Sequence, residues 1–145
     1  MMTDFSPTLS PEQARMLSPL QLAYVGDSVH ALIVRTGLLQ KNLLVKDMHR
    51  ASNEAVSAVS QAKELTRLLP LLTDEEADIV RRGRNAHPRH SAPKSASTAD
   101  YAGATGLEAL LGYLYLTGQN GRIQELTPFL VNNESAEYRV QSTDL

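Results

Sequence analysis

Asp27 is the only formal charge between Leu17 and Val34, and Glu108 is the only one between Tyr101 and Leu116. Both stretches are otherwise dominated by Leu, Ala, Val, Gly and Tyr. Taking an unpaired carboxylate out of water costs several kcal/mol or forces it to protonate. Two such carboxylates on two apolar segments suggest one shared cation. Oxygen ligands favour a hard ion, Mg²⁺ or Mn²⁺, with water in the remaining positions. That is the chemistry of a metal-dependent hydrolase. A structural account stays open: each carboxylate can bond a helix N-terminus, a Tyr hydroxyl or a buried Arg.

A second cluster lies between Asp78 and Asp100, where there is no acid. It holds Arg81, Arg82, Arg84, Arg89 and Lys94, five of the fourteen Lys and Arg of the chain, with Asn85, His87 and His90. Arginines fork onto phosphate oxygens, and Asn85 can bond a sugar or base edge. No aromatic residue is interleaved, so base stacking on a single strand is not indicated. A duplex read by shape fits better. A solvated charge run, with Arg81 and Arg82 complementing a helix C-terminus, accounts for the same residues. Beside a carboxylate metal site, phosphodiester chemistry is the economical reading.

These residues sit on helices. Strand patterns are nearly absent, and the fold class expected is all-α, with six or seven helices. Ser10-Pro11 and Ser18-Pro19 mark two helix starts, the second helix running to about Arg35. A third begins near Val45, with a stripe of Met48, Ala51, Ser52, Ala55, Val56 and Val59, and the pattern continues, with or without a break, through Ala62, Leu65 and Leu69 to Pro70. Thr73 and Glu76 form a capping box for a helix to about Arg82. Residues 83–99 read as a long loop broken by Gly83, Pro88 and Pro93. The Glu108 helix follows, then a turn at 118–121 and a last helix from Arg122 to about Val131. On helical spacing Leu20, Ala23, Tyr24, Asp27, Ala31 and Val34 share a stripe, with apolar residues opposite. That predicts a central helix with Asp27 inside it. Tyr101, Thr105, Glu108, Gly112 and Tyr115 line up on the other helix. Gly26 and Gly112 would let the two helices approach closely. His30 lies off the Asp27 stripe and reads as a packed or rim residue; Asp47 and His49 read as surface residues. The tyrosines read mostly as core, with one hydroxyl available to a carboxylate.

The chain has 145 residues, enough for one domain. A formal charge of -2 excludes a uniformly basic coat, so a polyanion must meet a local patch. There are no cysteines, which excludes disulfide and thiolate chemistry. No secretory signal pattern opens the chain, and the run 101–116 is too short to span a bilayer. A cytoplasmic protein without membrane association is expected, with an organellar origin not excluded. No P-loop, dinucleotide fingerprint, HExxH or Gly-x-Ser-x-Gly motif occurs.

Leu22-Ala-Tyr-Val-Gly-Asp27-Ser28 resembles the signature helix of the ribonuclease III catalytic domain, and Glu108-Ala-Leu-Leu-Gly112 resembles its second acidic motif. The resemblance covers about residues 15–131. The family usually has a Glu at position 23 and an Asp at position 105, where this chain has Ala23 and Thr105. Those departures are similar to the Mini-III subgroup, as are Leu22-Ala-Tyr-Val-Gly-Asp27, Arg82-Gly-Arg-Asn-Ala86 and Leu107-Glu-Ala-Leu-Leu-Gly-Tyr-Leu114. The resemblance implies a single catalytic domain over 1–145 with no double-stranded-RNA-binding domain. It implies a homodimeric, Mg²⁺-dependent endoribonuclease that cuts double-stranded RNA and leaves a 5′ phosphate. The substrate implied is precursor large-subunit (23S) ribosomal RNA, with a large-subunit ribosomal protein as a plausible helper. Asp27 carries over as the catalytic acid and Glu108 as its metal-binding partner. RNA contact by Arg81, Arg82, Arg84, Asn85 and Lys94 is inferred from charge. Two rivals stand beside this reading: a non-catalytic RNA-binding or ribosome-assembly module of the same fold, and an all-α nucleotide phosphohydrolase. The second normally gathers more acids than one per helix.

Overall fold

Hydroxyl caps open the helices at the places the sequence marks. Ser10 and Ser18 each accept from the backbone N–H three residues on, and Gln13 and Gln21 accept from the cap N–H in return. With a proline in each first turn, where its missing N–H costs nothing, they start α1 (Pro11–Arg15) and α2 (Pro19–Leu38). The computed structural model describes residues 5, 8–86 and 96–130. A 3-10 turn at Leu39–Lys41 and Asn42 at φ 53° redirect the chain into α3 (Val45–Ala55). Ser57 caps α4 (Ala58–Leu68). Thr73 and Glu76 exchange cap bonds of 2.9 and 3.2 Å and open α5 (Asp74–Ala86). Ser97 and Asp100 do the same for α6 (Thr98–Leu116). A last helix, α7, occupies 120–130. No strand occurs among the described residues, so the expected all-α class holds. No described helix is long and apolar enough to cross a membrane.

α6 is the hub. From Gly103 to Leu116 only Thr105, Glu108 and Tyr115 escape full burial. α2, α4 and α5 pack around it, and Leu22, Leu65, Leu68, Ile79 and Leu126 close the core. On the far side of α5, Arg122 of α7 grips the buried Glu76 with two bonds of 2.9 and 2.8 Å. That charge-assisted fork ties the last helix to the core.

Three expectations are corrected. α2 is not enclosed on all sides. It buries Leu22, Ala23, Gly26, His30, Val34 and Leu38, and exposes Leu20, Leu32 and Tyr24, the last at 83%. Among the described residues nothing covers Leu20, Leu32 and Tyr24 on that second face. α5 does not stop at Arg82 but runs through Gly83, Arg84 and Asn85 to Ala86. Gly83 costs about 1 kcal/mol of helix propensity, but its bare Cα packs on α6. A Cβ there would sit 3.0 Å from both the Gly106 Cα and the Ala109 Cβ. Finally, the α4 face turned to the core is Gln61, Glu64, Leu65 and Leu68, not Ala62, Leu65 and Leu69. The chain breaks between α3 and α4 at 56–57, and the new Ser57 cap resets the helical phase.

Candidate active site at the crossing of two helices

The site begins with two glycines. A Cβ on Gly26 would lie 1.6 Å from the Glu108 carbonyl oxygen, and one on Gly112 would lie 1.9 Å from that of Leu22. No other residue fits at either place. α2 and α6 therefore cross backbone to backbone. Asp27 follows Gly26 directly, and Glu108 lies one turn before Gly112. The crossing brings their carboxyls close enough to act on one another.

The two carboxyls sit in different surroundings. Asp27 is exposed on α2, contrary to the expectation that it lies inside an enclosed helix, whereas Glu108 is half-buried. Burial, the hydrogen bond to Asp27 and the charge of Asp27 push the Glu108 carboxyl up to about 8, against a smaller opposing effect of Gln61. The pair resists carrying two negative charges without a cation, the behaviour of two carboxylates sharing one site. Gln61 reaches in from α4. Its Nε2 donates to the Val56 carbonyl at 2.9 Å, and its amide lies near enough to Glu108 to favour the ionised carboxylate. Its Oε1 is buried and has no protein partner. No group of three or more His, Cys, Asp or Glu forms a metal cluster among the described residues. Two carboxylates and one orphaned amide oxygen, all hard donors, fit an ion that keeps most of its water, as Mg²⁺ does. At the two positions without acids, Ala23 is 7% exposed and the Thr105 hydroxyl donates to the Tyr101 carbonyl at 2.9 Å.

The basic residues divide. Arg81, Arg84 and Asn85 line one surface groove of about 270 Å³ with Leu69, Ala77 and Val80. Arg81 also donates to Asp78 one turn earlier. The Arg84 stem lies against α6, since a Cβ on Gly106 would come within 2.9 Å of its Cγ. Arg82 turns the other way and reaches the Arg15 carbonyl at 3.5 Å. Lys94, with His87, Arg89 and His90, lies outside the described residues.

His30 is a packed residue, fully buried, with Nε2 3.0 Å from Oε2 of the buried Glu64 on α4. Asp47 and His49 lie at or near the surface of α3. Of the tyrosines, Tyr113 is core and its hydroxyl bonds the carboxylate of Glu75, while Tyr24 is exposed. Sequence reasoning missed Gln61 and Glu64. The available signal was a polar pair at i, i+3 beside Leu65 and Leu68, hidden by the wrong helical phase.

Comparison with known proteins shows the family of the chain. The ribonuclease III domain family model matches residues 20–119. The Mini-ribonuclease 3 of Symbiobacterium thermophilum is 51% identical over 111 residues, covering 76% of this chain and 85% of its own length. That of Thermoanaerobacter sp. is 44% identical over 119 residues, covering 81% of this chain and 83% of its own. Among solved structures, protein FN1578 from Fusobacterium nucleatum superposes with a TM-score of 0.74 at 27% identity, over 83% of this chain and 96% of that one.

Proposed function

The chain belongs to the ribonuclease III family, in its Mini-ribonuclease 3 group, and is an endoribonuclease; from that premise we propose that it hydrolyses double-stranded RNA at Asp27 and Glu108 with Mg²⁺. The observation that carries the assignment is the contact between these two carboxyls across the Gly26–Gly112 crossing. The family acts on double-stranded RNA and is generally dependent on a divalent metal. In this chain Asp27 and Glu108 are the residues that would hold the ion. Bound there, Mg²⁺ (or Mn²⁺ as a substitute) would supply Lewis acidity at the phosphodiester and a water of lowered pKa.

The protein's own part follows from its geometry. Glu108 must give up its proton to become a ligand, and the N–H of Gln61 favours that ionised form. Asp27, open to solvent, faces the side from which RNA can approach. Arg81, Arg84 and Asn85 offer charge-assisted bonds to backbone phosphates away from the reacting one. A water oxygen bonds to phosphorus, the bond from phosphorus to the ribose 3′ oxygen breaks, and the products are a 3′ hydroxyl and a 5′ phosphate. No side chain is required as a covalent nucleophile.

Two copies are expected to work together and cut both strands. The uncovered face of α2 supports pairing: Leu9, Leu17, Leu20, Tyr24, Val25 and Leu116 border an apolar groove of about 670 Å³. Residues 15–131 are read as one catalytic domain acting in the bacterial cytoplasm on precursor 23S ribosomal RNA. A large-subunit ribosomal protein would then be in place to present the substrate. The test is cleavage of a long duplex RNA with Mg²⁺ against EDTA, with ends mapped, for the parent, Asp27→Asn and Glu108→Gln. Both variants are expected to fold and to lose cleavage. Full activity in either overturns its role, and duplex binding without Mg²⁺-dependent cleavage by the parent would favour a binding module.

A further inference from the structure

The absence of acids at positions 23 and 105 leaves the two-carboxylate site short of protein oxygens. We infer that Gln61 supplies a third, its side-chain carbonyl holding a water of the bound ion, so that α4 completes a centre begun by α2 and α6. The inference rests on the metal-centre reading of Asp27 and Glu108.

Gln61 is 3% exposed, and its side chain touches Glu108 itself. Its amide orientation is fixed by its partners. One N–H donates to the Val56 carbonyl at 2.9 Å. The same amide lies beside Glu108 and favours its ionised form. Turning the amide over would set its oxygen against the Val56 carbonyl, an acceptor. With Nε2 committed to the Val56 carbonyl, what remains is an acceptor with no protein donor. A buried amide oxygen left unpaired costs about 1–3 kcal/mol. A metal-bound water is a strong donor and removes that cost. Residues that hold the water and orient the ligands of an ion typically change its affinity by roughly 10- to 100-fold. Gln61 acts here as a positioning residue, through Glu108 and the water.

The test reads metal binding without RNA, by titrating Mn²⁺ at pH 8 and following the free ion by electron paramagnetic resonance. Gln61→Leu, which keeps bulk and removes the amide, is expected to weaken Mn²⁺ binding about tenfold or more. Gln61→Glu, which puts a charged oxygen in the same place, is expected to match or exceed the parent. A packing role alone would show equal affinity in the parent and both variants, and that result overturns the inference. Should Gln61→Leu fail to fold, Gln61→Glu decides by itself, and binding weaker than the parent overturns the proposal. Asp27→Asn and Glu108→Gln run in parallel. If they lose Mn²⁺ while the Gln61 variants do not, only the role of Gln61 falls. If none of the four changes affinity, the metal-centre reading falls and takes Gln61 with it.

Discussion

Replacing Glu108 by Gln should abolish cleavage and, in the absence of metal, make the protein more stable at pH 8. In the folded chain the Glu108 carboxyl keeps its proton to about 8, whereas its ordinary value is 4.5. Between those values the folded state binds more protons than the unfolded state, so stability falls as pH rises through the window. At full weight that gap is about 5 kcal/mol. Glu108 is partly open to water and Asp27 faces solvent, so screening reduces the effect to about 1–2 kcal/mol. For a chain of this length that corresponds to roughly 3–8 °C in melting temperature. The assay is thermal unfolding followed by circular dichroism in EDTA, at pH 5 and at pH 8. Near pH 5 most of the penalty has not yet appeared, and parent and Glu108→Gln should melt close together. At pH 8 the variant should melt higher. Millimolar Mg²⁺ should then raise the parent and leave the variant unmoved, because only the parent gains binding energy. A variant no more stable than the parent at pH 8, or equally favoured at both pH values, would refute the argument that the two carboxyls repel across the crossing.

Gly26→Ala should splay α2 from α6, costing about 1–3 kcal/mol or more and most of the activity; thermal unfolding and cleavage rate check it, and a stable, fully active variant contradicts the close crossing. Tyr24→Asp should shift the protein toward monomer in sedimentation without unfolding it, since Tyr24 is 83% exposed in one chain; an unchanged mass would move the pairing face elsewhere. Arg84→Glu should weaken duplex binding and flatten its salt dependence by about one unit of slope or more, while leaving Mn²⁺ binding unchanged. Arg82→Glu should do so less, because Arg82 reaches toward the Arg15 carbonyl at 3.5 Å rather than into the Arg84 groove. Equal salt slopes for the two variants would remove the distinction.

Much of this was legible from short-range chemistry. The helix starts were readable because Ser10, Ser18 and Thr73 each bring a partner three residues on, and a cap needs nothing from the rest of the fold. The approach of Asp27 and Glu108 was readable because Gly26 and Gly112 stand beside them on otherwise bulky helices. What depended on which neighbour covers a face was not readable. α2 and α6 carry similar apolar patterns, yet α6 is enclosed and α2 leaves Leu20 and Tyr24 in the open. Gly83 signalled a helix stop by propensity, and only the approach of α6 turns it into a contact point. Gln61 stayed hidden because a one-residue change of phase at Ser57 turns a different row of α4 inward.

The glycines also keep the proposed binding and catalytic groups apart around one helix. At about 100° per residue, Glu108 and Gly112 lie some 40° apart around α6, on the flank that meets α2. Gly106 lies about 200° from Glu108, on the flank that meets α5. α2 thus delivers Asp27 to one side of α6, while α5 lays the stem of Arg84 along the other. The two sets of charges are of opposite sign, and a helix about 10 Å across stands between them. Were they on one flank, Arg84 would pair with Glu108, neutralise it and take the place of the cation. Held apart by a buried helix, the acids and the arginines do not neutralise one another, as the proposed metal and phosphate roles require. On the proposed function, an RNA backbone long enough to reach both would be positioned by α6 itself.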